Sequence, residues 1–126
     1  MTGPGNPGSP SLRDPRIILD EILASIAMIQ TYLAQMTQAQ FMAQPLIQDG
    51  EVRRLEIIGE AATQLPADLK ARFTAVEWRA MTTMRNRLIH GYFAVNLTIV
   101  WDTIQHDLPV LETQIRAIRA QLDATP

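Results

Sequence analysis

Ile18, Ile22, Ile26, Ile29 and Leu33 follow one another at intervals of four and three residues. Such intervals put all five side chains on one face of an α-helix and on no single face of a strand. The stretch therefore predicts an amphipathic helix from about Asp14 to about Met36. Asp14 is a good N-cap and Pro15 suits the first helical position, where a missing N–H costs nothing. The same period returns in Val52, Leu55, Ile58, Ala62 and Leu65, within "EVRRLEIIGEAATQL". That predicts a second helix, beginning a few residues before Asp49 and ending at Pro66.

Three further helices complete the pattern. "PADLKARF" reads as a short one, and "WRAMTTMRNRLIH" as a fourth running from about Glu77 to Gly91, a natural C-terminal stop. Asn96 is placed to cap a long last helix that carries Leu97, Val100, Ile104, Leu108, Leu111, Ile115, Ile118 and Leu122 inward. Pro109 falls inside it, and its ring should clash with the Gln105 carbonyl and kink the helix. No segment alternates as a strand does. The expected fold is all-α, an antiparallel bundle of four to five helices. Gly59, mid-helix, lowers helix propensity by about 1 kcal/mol relative to alanine, which points to close approach of another backbone.

A chain of 126 residues is long enough for one core and too short for two. We place that domain at residues 13–122, after a Gly/Pro-rich opening, residues 1–12, that reads as a flexible tail. A net charge of −2 creates no general basic field, so any nucleic-acid contact has to be local. Seven of the eleven basic residues lie between Arg53 and Arg87, but Glu56, Glu60, Asp68 and Glu77 offset much of that. The absence of cysteine excludes disulfides, thiolate metal sites and cysteine nucleophiles. With His90 and His106 the two histidines, a metal site is not expected. No apolar run approaches the roughly 20 residues that span a bilayer, and there is no signal-peptide pattern, so the expected location is cytoplasmic.

Chemistry concentrates in "MRNRLIHGYF", Met84 to Phe93. On a helix Asn86 and His90 share a face while Arg85 lies to one side, within reach of its long side chain. Histidine exchanges protons near neutral pH, and arginine offers a planar, permanent cation matched to phosphate oxygens. These groups meet two needs of metal-free RNA cleavage: a base for the ribose 2′-hydroxyl and a cation for the phosphorane. A leaving-group acid is also required, and a symmetric dimer would bring the second histidine. The competing reading is electrostatic, since basic residues at a helix C-terminus are favoured by its dipole whatever their function. His106, beside Asp107 and without basic neighbours, reads as a solvated or capping residue, and Tyr92 as a core aromatic with its hydroxyl at the surface.

"RNRLIHGY" resembles the Arg-x4-His-x-Tyr signature of HepT-like ribonuclease toxins in the HEPN superfamily. "RDPRIILDEILASI", "VRRLEIIGEAATQLP" and "VWDTIQHDLPVLETQI" resemble that family's first, second and last helices, so the likeness covers about residues 13 to 119. It implies that Arg85 and His90 are catalytic and that Asn86 supports them. It implies that Tyr92 accepts AMP units from a minimal nucleotidyltransferase antitoxin, and that two signatures face each other in a homodimer. Asn96 stands where relatives often carry aspartate.

The expected function is thus a cofactor-free endoribonuclease acting on RNA as the toxin of a toxin–antitoxin pair. The alternative is a non-catalytic helical subunit that binds nucleotides or docks a nucleotidyltransferase, its arginines holding a phosphate while no bond is cut.

Overall fold

A computed structural model describes residues 13–90 and 96–124. The expected tail, Gly91 and Tyr92 lie outside them. The described chain forms α1 (Pro15–Leu33), α2 (Gln38–Met42), α3 (Pro45–Gln64), α4 (Ala67–Arg72), α5 (Trp78–Ile89) and α6 (Leu97–Asp102). A π-helical turn (Thr103–Asp107) then leads without a break into α7 (Leu108–Ala124). Among the described residues there is no strand, and no helix is long and apolar enough to cross a membrane. The fold is all-α and HEPN-like, with four long helical elements and two short ones.

The caps explain several boundaries. Asp14 accepts a hydrogen bond from the Arg16 amide at 2.9 Å and pairs with the Arg16 guanidinium at 2.8 Å. Those bonds hold its carboxyl down at about 2. α1 ends at Leu33, three residues before the Met36 expected from sequence. α2 is an addition that the apolar period did not predict. A capping box starts it: Thr37 Oγ1 accepts from the Gln40 amide at 3.1 Å, and the Thr37 amide donates to Gln40 Oε1 at 2.8 Å.

One expectation needs correction. Asn96 occupies the N-cap position of α6 but makes no side-chain cap bond to that helix. Its backbone, φ −124° and ψ 29°, is outside the extended region that aims a side chain at the first amides. Pro109 is the second residue of α7, and the disturbance expected at Gln105 takes the form of a widened turn just before it. The Leu108 amide reaches back five residues to the Thr103 carbonyl, and this π register accommodates the proline in the next turn.

Contacts distant in sequence give the directions. Arg13 binds Gln64, so the start of α1 meets the end of α3. Arg119 binds Asp20 at 3.0 Å and Gln30 binds Glu112 at 3.3 Å, so α7 runs antiparallel to α1. Gln48 Nε2 donates to the Phe41 and Met42 carbonyls at 2.9 and 3.1 Å, anchoring α2 on α3. The apolar stripe of α1 is buried against those of α3 and α7, with Ile18, Ile22, Ile26, Ile29 and Ile115 fully enclosed. Each such side chain contributes about 1.5–3 kcal/mol by leaving water. The inward faces of the first and last helices are therefore buried in the core, while Ile17, Tyr32 and Val110 on their other sides stay exposed.

Glu51 breaks the apolar pattern from within. It lies four residues before Leu55 and seven before Ile58, on the inward face of α3, and is only 3 % exposed. Its Oε2 has no hydrogen-bond partner. Burial pushes its carboxyl up to about 7, against the opposing pull of Arg54. A folded-state value above the unfolded one means that folding takes up a proton, so this residue lowers stability as pH rises from about 4.5 to about 7. Glu51→Gln should accordingly stabilise the fold at pH 8 by roughly 1–3 kcal/mol, with the difference vanishing near pH 4.5. Urea unfolding of both proteins across that range measures it; equal midpoints at pH 8 would contradict the assignment.

Candidate functional site

α5 carries the polar cluster and its packing decides where the cluster points. The helix starts beside α4, which follows directly on α3, and then runs back along α3. At the crossing stands Gly59. A Cβ there would collide with the Cβ of Arg85 and would lie 3.0 Å from the Met81 carbonyl and 3.1 Å from Arg85 Cγ. The expected close approach thus has an identity: the α3 backbone is the wall against which Arg85 begins.

Arg85 is half-buried, and its Nε is enclosed without a hydrogen-bond partner. Its Nη1 donates to Asn86 Oδ1 at 3.1 Å. Stem and fork therefore differ: the stem is fixed by α3, while the far end of the guanidinium is held by an exposed neighbour. His90 forms the C-cap, φ −83° and ψ 7°, and its amide donates to the Asn86 carbonyl at 3.2 Å. Its side chain is exposed, as is that of Asn86.

The structure joins Arg85 to Asn86 and sets His90 one turn beyond Asn86. Among the described residues no hydrogen bond links the His90 ring to Arg85. Leu88, between them, is buried and seats the end of α5 in the core. His106 is exposed in the π turn, away from this cluster in sequence and on another helix. Among the described residues no group of three His, Cys, Asp or Glu side chains could hold a metal ion. Sequence reasoning singled out Gly59 but passed over Glu51, although the i, i+4, i+7 relation to Leu55 and Ile58 places it on the buried face.

Beside the crossing runs an apolar groove of about 360 Å³ between α3, α5 and α7. Leu55, Ile58, Met81, Met84, Leu108 and Leu111 form its floor, with Glu77 and Asp107 among its polar residues. Gln114 Nε2 donates to the Ala75 carbonyl at 3.1 Å and ties α7 to the segment before α5.

A helical bundle with arginine, asparagine and histidine at the end of one helix defines a small all-α domain of the HEPN type. The sequence profile described as "Ribonuclease HepT-like" matches residues 22–118, and the chain belongs to that family. It is 33 % identical to the "Probable ribonuclease HepT" of Thermococcus cleftensis, over 85 % of this chain and 97 % of that protein. A "Putative RNase" of Caldanaerobacter subterraneus is 36 % identical over 85 % of this chain and 96 % of its own length. A Methanocaldococcus jannaschii protein named "Gamma-glutamylcyclotransferase and putative RNase" is 36 % identical over 88 % of this chain, which spans half of that relative. No solved structure matches the chain.

Gly59→Ala tests the crossing. Alanine favours the helix by about 1 kcal/mol, but the added carbon meets a backbone-fixed Cβ and a carbonyl that cannot swing away. The net effect should be destabilisation by about 1–3 kcal/mol, read from urea midpoints. A stabilised variant would show that the two helices part easily.

Proposed function

We propose that this chain is a metal-independent endoribonuclease with Arg85 and His90 as catalytic residues and Asn86 in support. Its membership of the HepT-like ribonuclease family, with the polar cluster assembled at the end of α5, carries the reading. His90 takes the proton of a ribose 2′-hydroxyl, whose oxygen attacks the adjacent phosphorus. The Arg85 guanidinium, braced by Gly59 at its stem and by Asn86 at its fork, stabilises the charge on the phosphorane. An acid then protonates the departing 5′-oxygen, leaving a 2′,3′-cyclic phosphate and a 5′-hydroxyl. His90 of a second copy meets that need, so the active species is a homodimer. The apolar groove beside the Gly59 crossing supports the same reading, since it offers a surface for a second chain to cover.

In chelator-treated buffer the wild type should cut a tRNA pool to cyclic-phosphate ends. His90→Ala and Arg85→Ala should each be slower by about 100-fold or more while remaining folded and dimeric. A folded His90→Ala protein that cuts at the wild-type rate would remove His90 from the mechanism.

The toxin role extends this proposal. Tyr92 lies outside the described residues, two positions after His90 in sequence. We propose it as the acceptor of AMP from a minimal nucleotidyltransferase antitoxin in the cytoplasm. Each phosphate added there brings negative charge close to the cation that an RNA phosphate would otherwise occupy. With such an enzyme and ATP, the wild type should gain mass in AMP steps and Tyr92→Phe should not. Equal labelling of both would move the acceptor elsewhere.

A further inference from the structure

The chain's cations divide into two sets. Arg13, Arg16, Arg53, Arg116 and Arg119 are each paired with a carboxylate. Among the described residues Arg54, Lys70, Arg72, Arg79, Arg85 and Arg87 have no such partner, and all of them fall on α3, α4 and α5. A cation without a paired carboxylate has no ion pair to break when it meets a ligand. Three of them stand around the α4–α5 junction, where a shallow groove of about 520 Å³ is lined by Ala67, Lys70, Ala71, Trp78, Arg79 and Thr82.

The groove is built rather than incidental. Lys70 Nζ donates to the Ala62 carbonyl in the last turn of α3 at 3.2 Å, which fixes the ammonium at one wall. Trp78 Nε1 donates to the Phe73 carbonyl at 3.0 Å, which fixes the indole in the lining. The Arg72 guanidinium lies 5.1 Å from the centre of the Phe73 ring. Asp68 and Glu77 are close in sequence, but neither lines the groove, and Glu77 lines the apolar groove on the α3–α7 side.

From here a polar stripe leads to the cluster at the end of α5. Arg79, Thr83, Asn86 and His90 follow at steps of four, three and four, and all four are exposed. At about 100° per residue they share one narrow face, which runs about 16 Å from Arg79 to His90. An extended strand whose cleaved bond sits at His90 can follow that face and reach Arg79.

We propose that the α4–α5 groove is a subsite for single-stranded RNA, holding a backbone phosphate between Lys70 and Arg79 and stacking a base on Trp78. The inference rests on the ribonuclease reading of Arg85 and His90 and identifies where the rest of that substrate lies. Small Ala67 and Ala71 beside the Trp78 indole in the lining suit a flat base, and Lys70 and Arg79 suit a polyanion.

The test uses the full-length His90→Ala protein, so that binding is measured without cutting. A fluorescein-labelled, unstructured RNA oligonucleotide is titrated by anisotropy at several salt concentrations. Adding Arg79→Ala should weaken binding about tenfold and reduce the salt slope by about one, as expected for one lost phosphate contact. Adding Arg116→Ala, which removes an exposed cation paired with Glu112, should change neither. Unaltered affinity and slope in the Arg79 variant would overturn the subsite, whether or not the wild type cuts RNA, and would give the groove to a protein partner. Weakened binding together with a wild type that cleaves nothing would uphold the subsite and overturn the nuclease reading instead.

Discussion

The approach of α5 to α3 at Gly59 is the contact on which the polar cluster depends. Helices that meet through side chains stay about 8–10 Å apart, and a glycine at the crossing lets one backbone come closer. Here the space released is filled by the stem of Arg85, which gains a wall without a competing side chain. A long, flexible cation is thereby ordered before any ligand arrives, which reduces the entropy lost when a phosphate binds. The same crossing sets the direction of the whole helix, so Asn86, His90 and the stripe leading back to Arg79 are positioned with it.

α3 bears most of this organisation and also two of the buried polar residues, Gln48 and Glu51. Gln48, one turn before Val52, is buried but satisfied by two carbonyls of α2. Glu51, three residues on, is buried and unsatisfied at Oε2. The contrast shows why burial alone does not decide the outcome: an amide that finds two acceptors joins elements, whereas a carboxyl without a donor becomes neutral near physiological pH. The fold tolerates this because α1 and α7 bury their apolar stripes almost completely around it.

Much of the helical architecture was legible in the amino-acid order. The apolar stripes of α1, α3 and the last helix appear as period-3.6 patterns, Asp14 caps where it should, and Pro66 stops α3. Gly59 was legible as a point of close approach, though not which residue it would meet. α2 was missed because five residues are too few for a period, and its signal was the Thr37–Gln40 capping box. Asn96 was misread because its residue type has a strong local preference for capping. That preference yielded to a backbone of φ −124° and ψ 29°, whereas Pro109 disturbs the regular helix as its ring predicts, through the π turn before it.

By itself the sequence determined the main helical segments, their apolar inward stripes, and that Arg85, Asn86 and His90 share the end of one helix, because those follow from local propensity and a fixed rise and turn. Only the tertiary structure decided what each face meets: Arg85 against Gly59, Glu51 enclosed without a donor, the π register before Pro109, and the sorting of cations into paired and unpaired sets. Those outcomes depend on the register between helices separated by tens of residues. Such register is set by packing a common core, and no local spacing encodes it.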